Sequence, residues 1–181
     1  MKTIRIGTRR SALVIALLLL VGCSGRPKAP VLGNDPVYRN SHEGFRFVAP
    51  EGWAQTASAN FPSDAMDKER MLVRYEGRTG DSSAILEVSC INLPETTDPS
   101  SILDAPSHGV SRWKRDGTAQ SIEIHGQPAT RYAYRSGKTA KEVVLFRRGG
   151  RGYFFTSVYA ADDLKSRDLI RQAVESVVWT R

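Results

Sequence analysis

Residues that could support catalysis or metal binding are few and widely separated in the chain. The three histidines are His42, His108 and His125; none lies within four residues of another, and no HExxH or CxxC pattern is present. His125 lies in a Gly- and Pro-containing turn, where a solvated side chain is expected. No Gly-x-Ser-x-Gly turn occurs, and the glycine-rich stretch 148–152 lacks the spacing of a phosphate-binding loop. The sequence therefore predicts no catalytic site, no metal site and no cofactor.

The two cysteines are predicted to have different roles. Leu20-Val21-Gly22-Cys23 resembles the lipobox of bacterial lipoproteins, in which a long or branched apolar residue and two smaller residues precede a cysteine. Only a thiol can carry the thioether-linked diacylglycerol, so Cys23 is the expected lipidation site and the first residue of the mature chain. Cys90 alternates with Leu86 and Val88 and is expected to be a buried thiol that packs as a small hydrophobe.

Residues 1–22 have the organisation of a secretory signal peptide. The first ten residues include four basic side chains and no acid, and an apolar run follows over 12–21. This run is shorter than the roughly 20 apolar residues that span a bilayer, so cleavage before Cys23 is expected. An ordinary signal peptide or an uncleaved short anchor is the alternative. Residues 8–13 also faintly resemble a twin-arginine export motif, so the general secretory and twin-arginine routes both stay open.

The residues around the predicted cleavage site indicate where the protein is anchored. Ser24, rather than aspartate, follows the cysteine, which by resemblance to enterobacterial sorting rules favours the outer membrane, facing the periplasm. Three prolines and two glycines in 24–36 leave no periodic apolar face, so 23–36 is expected to be a lipidated N-terminus and flexible tether with a reach of about 40 Å. Each buried acyl CH₂ contributes about 0.8 kcal/mol, so several chains anchor firmly. The expected location is the cell envelope, with the membrane as the first partner.

The net charge says little about other partners. The 181 residues include 26 basic and 19 acidic side chains, a formal charge of +7. Four of the basic residues and none of the acidic ones belong to 1–22, so the mature chain carries 22 against 19, or +3. No nucleic acid partner is expected for an exported protein with this balance. The mature length suits one ordinary domain.

A group of basic residues in the C-terminal third is a candidate anionic-partner patch. Three tyrosines are interspersed among its members, which are Arg131, Arg135, Lys138, Lys141, Arg147, Arg148 and Arg151. Such a surface could contact anionic lipid head groups, an anionic wall polymer or an acidic protein partner. The alternative is a solvated sheet edge, where basic side chains deter pairing with another strand.

The elements that position these residues are mainly strands in hairpins. Alternating or continuous β-branched and aromatic runs, separated by turns, predict strands over 44–49, 71–76, 84–91, 121–124, 129–135, 142–147 and 153–160. A helix capped by Asp162 or Asp163 should turn an apolar stripe toward the sheet. A second helical stretch over 99–115 is interrupted by Pro106 and Gly109. This order predicts an α+β domain with a mainly antiparallel sheet.

The start and the end of this region resemble PsbP-like domains. Tyr38-Arg39-Asn40-Ser41-His42-Glu43-Gly44-Phe45-Arg46-Phe47-Val48-Ala49-Pro50-Glu51-Gly52-Trp53 has a short strand, a glycine-aromatic-x-aromatic strand and a Pro-x-Gly-Trp turn. The C-terminal hairpin, the amphipathic helix and Ser176-Val177-Val178-Trp179 are also similar. The resemblance implies one domain over 37–181, an α/β/α sandwich around a mainly antiparallel sheet. Photosystem extrinsic subunits, a Ran-binding nuclear transport factor and exported bacterial proteins share this scaffold but no common site, so no functional residue is transferred.

These observations predict a membrane-anchored envelope lipoprotein whose exported domain is a non-catalytic binding or accessory module. The partner is expected to be a protein or an anionic component of the envelope. The alternative is an envelope hydrolase or small-ligand carrier with a site assembled from scattered residues, and a mere structural spacer is a third possibility. A deep cleft in which histidine, carboxylate and hydroxyl groups meet within hydrogen-bond reach would favour the hydrolase or carrier.

Overall fold

A computed structural model describes residues 35–58 and 69–180. The predicted signal peptide, the lipobox with Cys23 and most of the predicted tether lie outside these residues. The elements are β1 (Val37–Asn40), β2 (Phe45–Val48), β3 (Ala54–Ser58), β4 (Arg70–Thr79), β5 (Ser82–Asn92), α1 (Ser100–Leu103), β6 (Lys114–Arg115), β7 (Gln120–Ile124), β8 (Gln127–Ser136), β9 (Thr139–Arg148), β10 (Arg151–Ala160), α2 (Leu164–Glu175) and β11 (Val178–Trp179). Neither helix in this part of the chain has the length and apolar character needed to cross a membrane.

The strands form a large and a small antiparallel sheet. The large sheet has the order β3-β4-β5-β10-β9-β8-β6, with β7 also paired to β8, and the small sheet has the order β1-β2-β11. Every one of these strand pairs is antiparallel. The predicted hairpins β4–β5, β7–β8 and β9–β10 are confirmed, whereas the β5–β10 pairing joins distant parts of the chain. The predicted α+β class with a mainly antiparallel sheet is confirmed.

A two-residue turn joins β7 to β8 and explains His125. His125 and Gly126 have φ angles of 49° and 76°. Two successive residues in the left-handed region are typical of a type I′ hairpin turn, whose twist matches that of the flanking strands. The turn is shorter than the predicted four residues, because Gln127 and Pro128 belong to β8.

One face of the large sheet, the helix face, is covered by α2 and the small sheet. Aromatic side chains fill this layer: the Phe47 and Phe155 rings lie 5.7 Å apart, edge to face. α2 is capped, as predicted, by Asp163, whose carboxylate accepts the Ser166 amide N–H at 3.0 Å. Cys90 belongs to the same core, where burial raises the pKa of its thiol to about 11. The predicted burial of Cys90 is confirmed.

The opposite face, the loop face, is covered by residues 93–113 rather than by a long helix. Trp113 from this segment is buried against the sheet. α1 has only four residues, so the predicted helix over 99–115 is wrong beyond its first turn. Pro106 has no amide hydrogen to continue a helix, and Gly109 adopts a φ of 75° in the left-handed region. The second outer layer of the sandwich is therefore mostly irregular chain.

Candidate functional site

A cleft of about 310 Å³ lies between the loop face and residues 102–108. Neighbouring strands β4, β5, β10 and β9 form its floor, and the end of α1 and the chain after it form its wall. This sheet cleft has apolar lining residues, such as Met71 and Ile102, together with the polar side chains of Glu69, Glu87, Ser89, His108, Lys141 and Thr156. A volume of this order suits a small molecule.

Strand register brings the polar floor of the sheet cleft together. Thr156 of β10 lies opposite Glu87 of β5 and also opposite Val143 of β9. Two pairs further along, and so on the same face, Phe154 lies opposite Ser89. Because alternate residues of a strand share a face, Glu87 and Ser89 point away from the helix-face core. Polar groups that are distant in sequence therefore meet on the loop face.

Lys141 is a buried amine on the β9 side of the sheet cleft. Only 3% of the residue is exposed, and Nζ donates to the Leu103 carbonyl at 2.5 Å. Nζ also lies 4.7 Å from the centroids of both the Trp113 and Tyr134 rings, a contact that favours the cation. Burial lowers the pKa of Lys141 to about 8, against the opposing attraction of Asp104. Lys141 therefore ties α1 to the sheet and presents a titratable group to the cleft.

His108 covers the β5 side of the sheet cleft, and one nitrogen of its imidazole ring forms no hydrogen bond with the described residues. Its Nε2 lies 3.7 Å from Oε2 of Glu87, and its Nδ1 is shielded from solvent without a hydrogen-bond partner among the described residues. Its φ of 55° is uncommon for a residue other than glycine. The interaction with His108 lowers the pKa of Glu87, outweighing burial, and Arg74 at 3.7 Å adds to this effect. The Glu87 carboxylate is therefore held in its ionised form.

The hydroxyl groups near His108 are engaged elsewhere. Ser89 Oγ donates to Glu69 Oε1 at 2.7 Å, and Ser107 Oγ accepts the Trp113 indole N–H at 3.0 Å. Within residues 35–58 and 69–180, no hydroxyl forms a hydrogen bond with His108, and no three histidine, cysteine or carboxylate side chains are placed to hold a metal ion. The sheet cleft therefore contains a histidine–carboxylate pair, and no hydroxyl among the described residues is hydrogen-bonded to the histidine.

The structure does not bring the seven basic residues of the predicted patch onto one surface. The Arg147 guanidinium donates to the carbonyls of Pro94 and Thr97 at 2.8 and 2.7 Å, on the loop face. Arg131 forms a 3.5 Å ion pair with Glu175 of α2, on the helix face. Lys141 is buried in the sheet cleft and so adds nothing to an exposed surface.

The other four members of the predicted patch also divide between two places. Arg148 stacks over the Trp179 ring at 4.8 Å, and Arg151 forms a 2.9 Å ion pair with Glu43, both next to the small sheet. Arg135 and Lys138 are exposed together at the end of the β8–β9 hairpin.

A buried polar cluster connects the small sheet to the large one. Glu43 has a side chain that is 1% exposed, and its carboxylate accepts hydrogen bonds from Arg70, from Arg151 at 2.9 Å and from the Tyr153 hydroxyl at 2.8 Å. Glu43 lies between β1 and β2, and its amide N–H donates to Asn40 Oδ1 at 3.0 Å. Because its partners come from β4 and from the start of β10, this carboxylate is used to hold the two sheets together.

Sequence reasoning missed the polar floor of the sheet cleft. Glu87 and Ser89 alternate with buried residues of β5, which is a signal that the second face of this strand is polar. Lys141 is a member of the predicted patch, but the structure buries it. Lys141 shares its strand face with Val143 and Leu145, and this apolar alternation is the signal that could have placed it inside the domain.

Comparison with known proteins identifies the fold alone. No protein-family model and no curated protein matches the chain. Among solved structures, the chain is similar to the solution structure of cyanobacterial PsbP (CyanoP) from Synechocystis sp. PCC 6803, with a TM-score of 0.54 and 17% sequence identity over 90% of this chain and 99% of that chain. The chain therefore has a PsbP-like fold, as the sequence resemblance predicts. A shared scaffold at this identity transfers no site residues.

Proposed function

We propose that the chain is a membrane-anchored envelope lipoprotein whose domain is a non-catalytic binding module that receives a small ligand in the sheet cleft. The location rests on Leu20-Val21-Gly22-Cys23 and on the basic and apolar segments before it. Acylation of Cys23 anchors the protein, and Ser24 favours the outer membrane facing the periplasm. The tether 23–36 then separates the domain from the membrane.

The observation that carries the binding role is the unmet hydrogen-bond capacity inside the sheet cleft. His108 Nδ1 is buried without a described partner. Because His108 lines the cleft next to the Glu87 carboxylate, this ring nitrogen supports a polar partner that arrives from outside. The absence of a hydroxyl bonded to His108 among the described residues supports binding rather than hydrolysis.

The positions of the charged groups indicate the kind of ligand. Glu69 and Glu87 lie on the β4–β5 side, whereas Lys141 lies on β9. β5 and β9 are separated by β10, so their charges stand about 10 Å apart across the sheet. The expected ligand is a small amphipathic molecule with hydrogen-bond donors near the carboxylates and an acceptor near Lys141.

A thermal-shift screen with amino acids, dipeptides and small organic acids tests the binding role. A ligand at about one hundred times its dissociation constant should stabilise the protein by about 2.7 kcal/mol, which raises Tm by roughly 5–10 °C. Thr156→Trp, at a half-buried position of the cleft floor, fills the sheet cleft and should abolish the shift. Val48→Trp is the matched control, because Val48 is 49% exposed on β2. The binding role is contradicted if no compound in the screen raises Tm, or if a stabilising compound raises the Tm of both variants alike.

Fractionation tests the proposed anchor. Cys23→Ser removes the acceptor of the lipid, so the variant should leave the membrane fraction or accumulate unprocessed. The lipoprotein assignment is wrong if the variant still fractionates at the mature size with membranes that have been washed in high salt, which releases proteins held only by charge.

Hydrolysis is the second candidate, favoured by the 3.7 Å approach of His108 to Glu87 beside Ser107. A fluorophosphonate probe labels activated serines. A binding module should show no labelling, whereas labelling of Ser107 that His108→Gln abolishes would replace the binding role with a hydrolase.

A further inference from the structure

A basic groove of about 450 Å³ lies where β6 meets the end of β8, at the edge of the large sheet. Residues 111–112, 114–116 and 135–137 line this edge groove. Asp116 is the acidic residue of the lining, against the basic side chains of Arg112, Lys114, Arg115 and Arg135, all of them exposed. Lys138 extends the basic surface at the tip of the β8–β9 hairpin.

Backbone pairing holds two cations of the edge groove side by side. Lys114 lies opposite Arg135 in the β6–β8 ladder, and like charges in directly opposite positions destabilise a sheet. Asp116 offsets little of this repulsion, because its 3.2 Å bridge to Arg135 joins side chains that are 54% and 52% exposed. Arg112 and Lys114 form no ion pair within the described part of the chain. The groove therefore keeps excess positive charge that an anion would stabilise.

Arg115 is fixed in orientation without losing its charge. Its Nη2 donates to Ser100 Oγ at 3.0 Å, and its guanidinium carbon lies 5.6 and 5.9 Å from the centroids of the Tyr132 and Tyr134 rings. Hydroxyl and ring contacts orient a guanidinium but do not neutralise it, although Asp104 attracts it from nearby. An oriented guanidinium suits bidentate contact with phosphate oxygens.

We propose that the edge groove binds the phosphate head groups of acidic phospholipids, so that the domain lies against the membrane that carries its lipid anchor. The inference rests on the proposed anchor, because a tether reaching about 40 Å keeps the head groups at high effective concentration. A lipid surface is favoured over a single free anion because the cations are spread along an exposed edge and do not surround one ion. Each basic side chain near an anionic surface adds to the attraction.

Vesicle sedimentation tests the edge groove separately from the anchor. The non-acylated chain 23–181 carrying Cys23→Ser is mixed with phosphatidylcholine vesicles, with or without phosphatidylglycerol. The protein should sediment only with the anionic vesicles and should be released by salt. Lys114→Gln/Arg135→Gln should weaken this binding about 30-fold, as expected for two charges lost at the surface. Unchanged thermal melting confirms that this variant folds.

Arg39→Gln/Arg46→Gln is the matched control. These exposed arginines also lie opposite each other, in the β1–β2 ladder, so the variant loses the same charge outside the edge groove and should keep its binding. The proposal is overturned if both variants lose vesicle binding equally, or if binding does not depend on phosphatidylglycerol. Displacement by inorganic phosphate with comparable affinity assigns the groove to free phosphate and not to lipid. Retention of Cys23→Ser on salt-washed membranes from cells contradicts the anchor alone and leaves the vesicle result standing.

Discussion

Replacing Glu43 by glutamine should weaken the junction between the two sheets. The amide keeps the size of the side chain but removes the charge that Arg70, Arg151 and Tyr153 contact. The Glu43 and Arg70 side chains are only 1% and 7% exposed, so water cannot take the place of the carboxylate. The change therefore acts on a buried ion pair with little solvent screening.

The expected loss follows from that burial. Removing one partner of a buried ion pair costs about 3–5 kcal/mol. The Arg151 side chain is 24% exposed, so solvent screens its contribution and the lower end of this range is expected. A decrease of about 3 kcal/mol in the free energy of unfolding lowers Tm by roughly 6–12 °C in a domain of this size.

Urea denaturation followed by near-UV circular dichroism measures the effect of Glu43→Gln. Glu51→Gln makes the same chemical change in the exposed turn after β2 and should alter the free energy of unfolding by less than about 0.5 kcal/mol. If Glu43→Gln falls within about 1 kcal/mol of this control, the carboxylate does not hold the sheets together and the reasoning is refuted.

Three further predictions concern the core and the sheet cleft. Gly77→Ala should lower the free energy of unfolding by about 1–3 kcal/mol in urea titrations, since its Cβ would overlap the Trp53 indole; a neutral effect contradicts this packing. Because folding lowers the pKa of Lys141 to about 8, the unfolded chain binds more protons above that pH, so stability should rise from about pH 8 to 10.5; Lys141→Met should remove this rise in pH-dependent melting curves. In the chain carrying Cys23→Ser, the Cys90 thiol, with its pKa raised to about 11, should resist a disulfide reagent at pH 8 until urea unfolds the protein, and rapid labelling of this folded variant would contradict the burial of Cys90.

The strands and α2 could be predicted from sequence because their signals are local. Alternation of apolar and polar residues marks β5, and Asp163 precedes the apolar stripe of α2. The helix predicted over 99–115 is mostly wrong, because the propensity for a helix competes there with Pro106 and with left-handed φ angles at His108 and Gly109. Local sequence shows that the helix is interrupted, but does not show that only one turn forms.

The sheet cleft could not be predicted because it depends on pairing between distant strands. Glu87 and Thr156 become neighbours only when β5 pairs with β10, and neither strand carries a signal for its partner. Lys141 was expected at the surface because charged side chains are usually solvated. Its alternation with Val143 places it on the loop face, and only the irregular segment 93–113 buries it there.

The small sheet gathers both ends of the domain around β2. β1 begins at Val37, β11 ends at Trp179, and the Thr180 amide N–H donates to the Gly44 carbonyl at 2.8 Å. Tension applied to the chain before Val37 would load the β1–β2 ladder first and then the Glu43 cluster behind it. The small sheet therefore lies between the N-terminus, where the anchor is proposed, and the two surfaces proposed to bind.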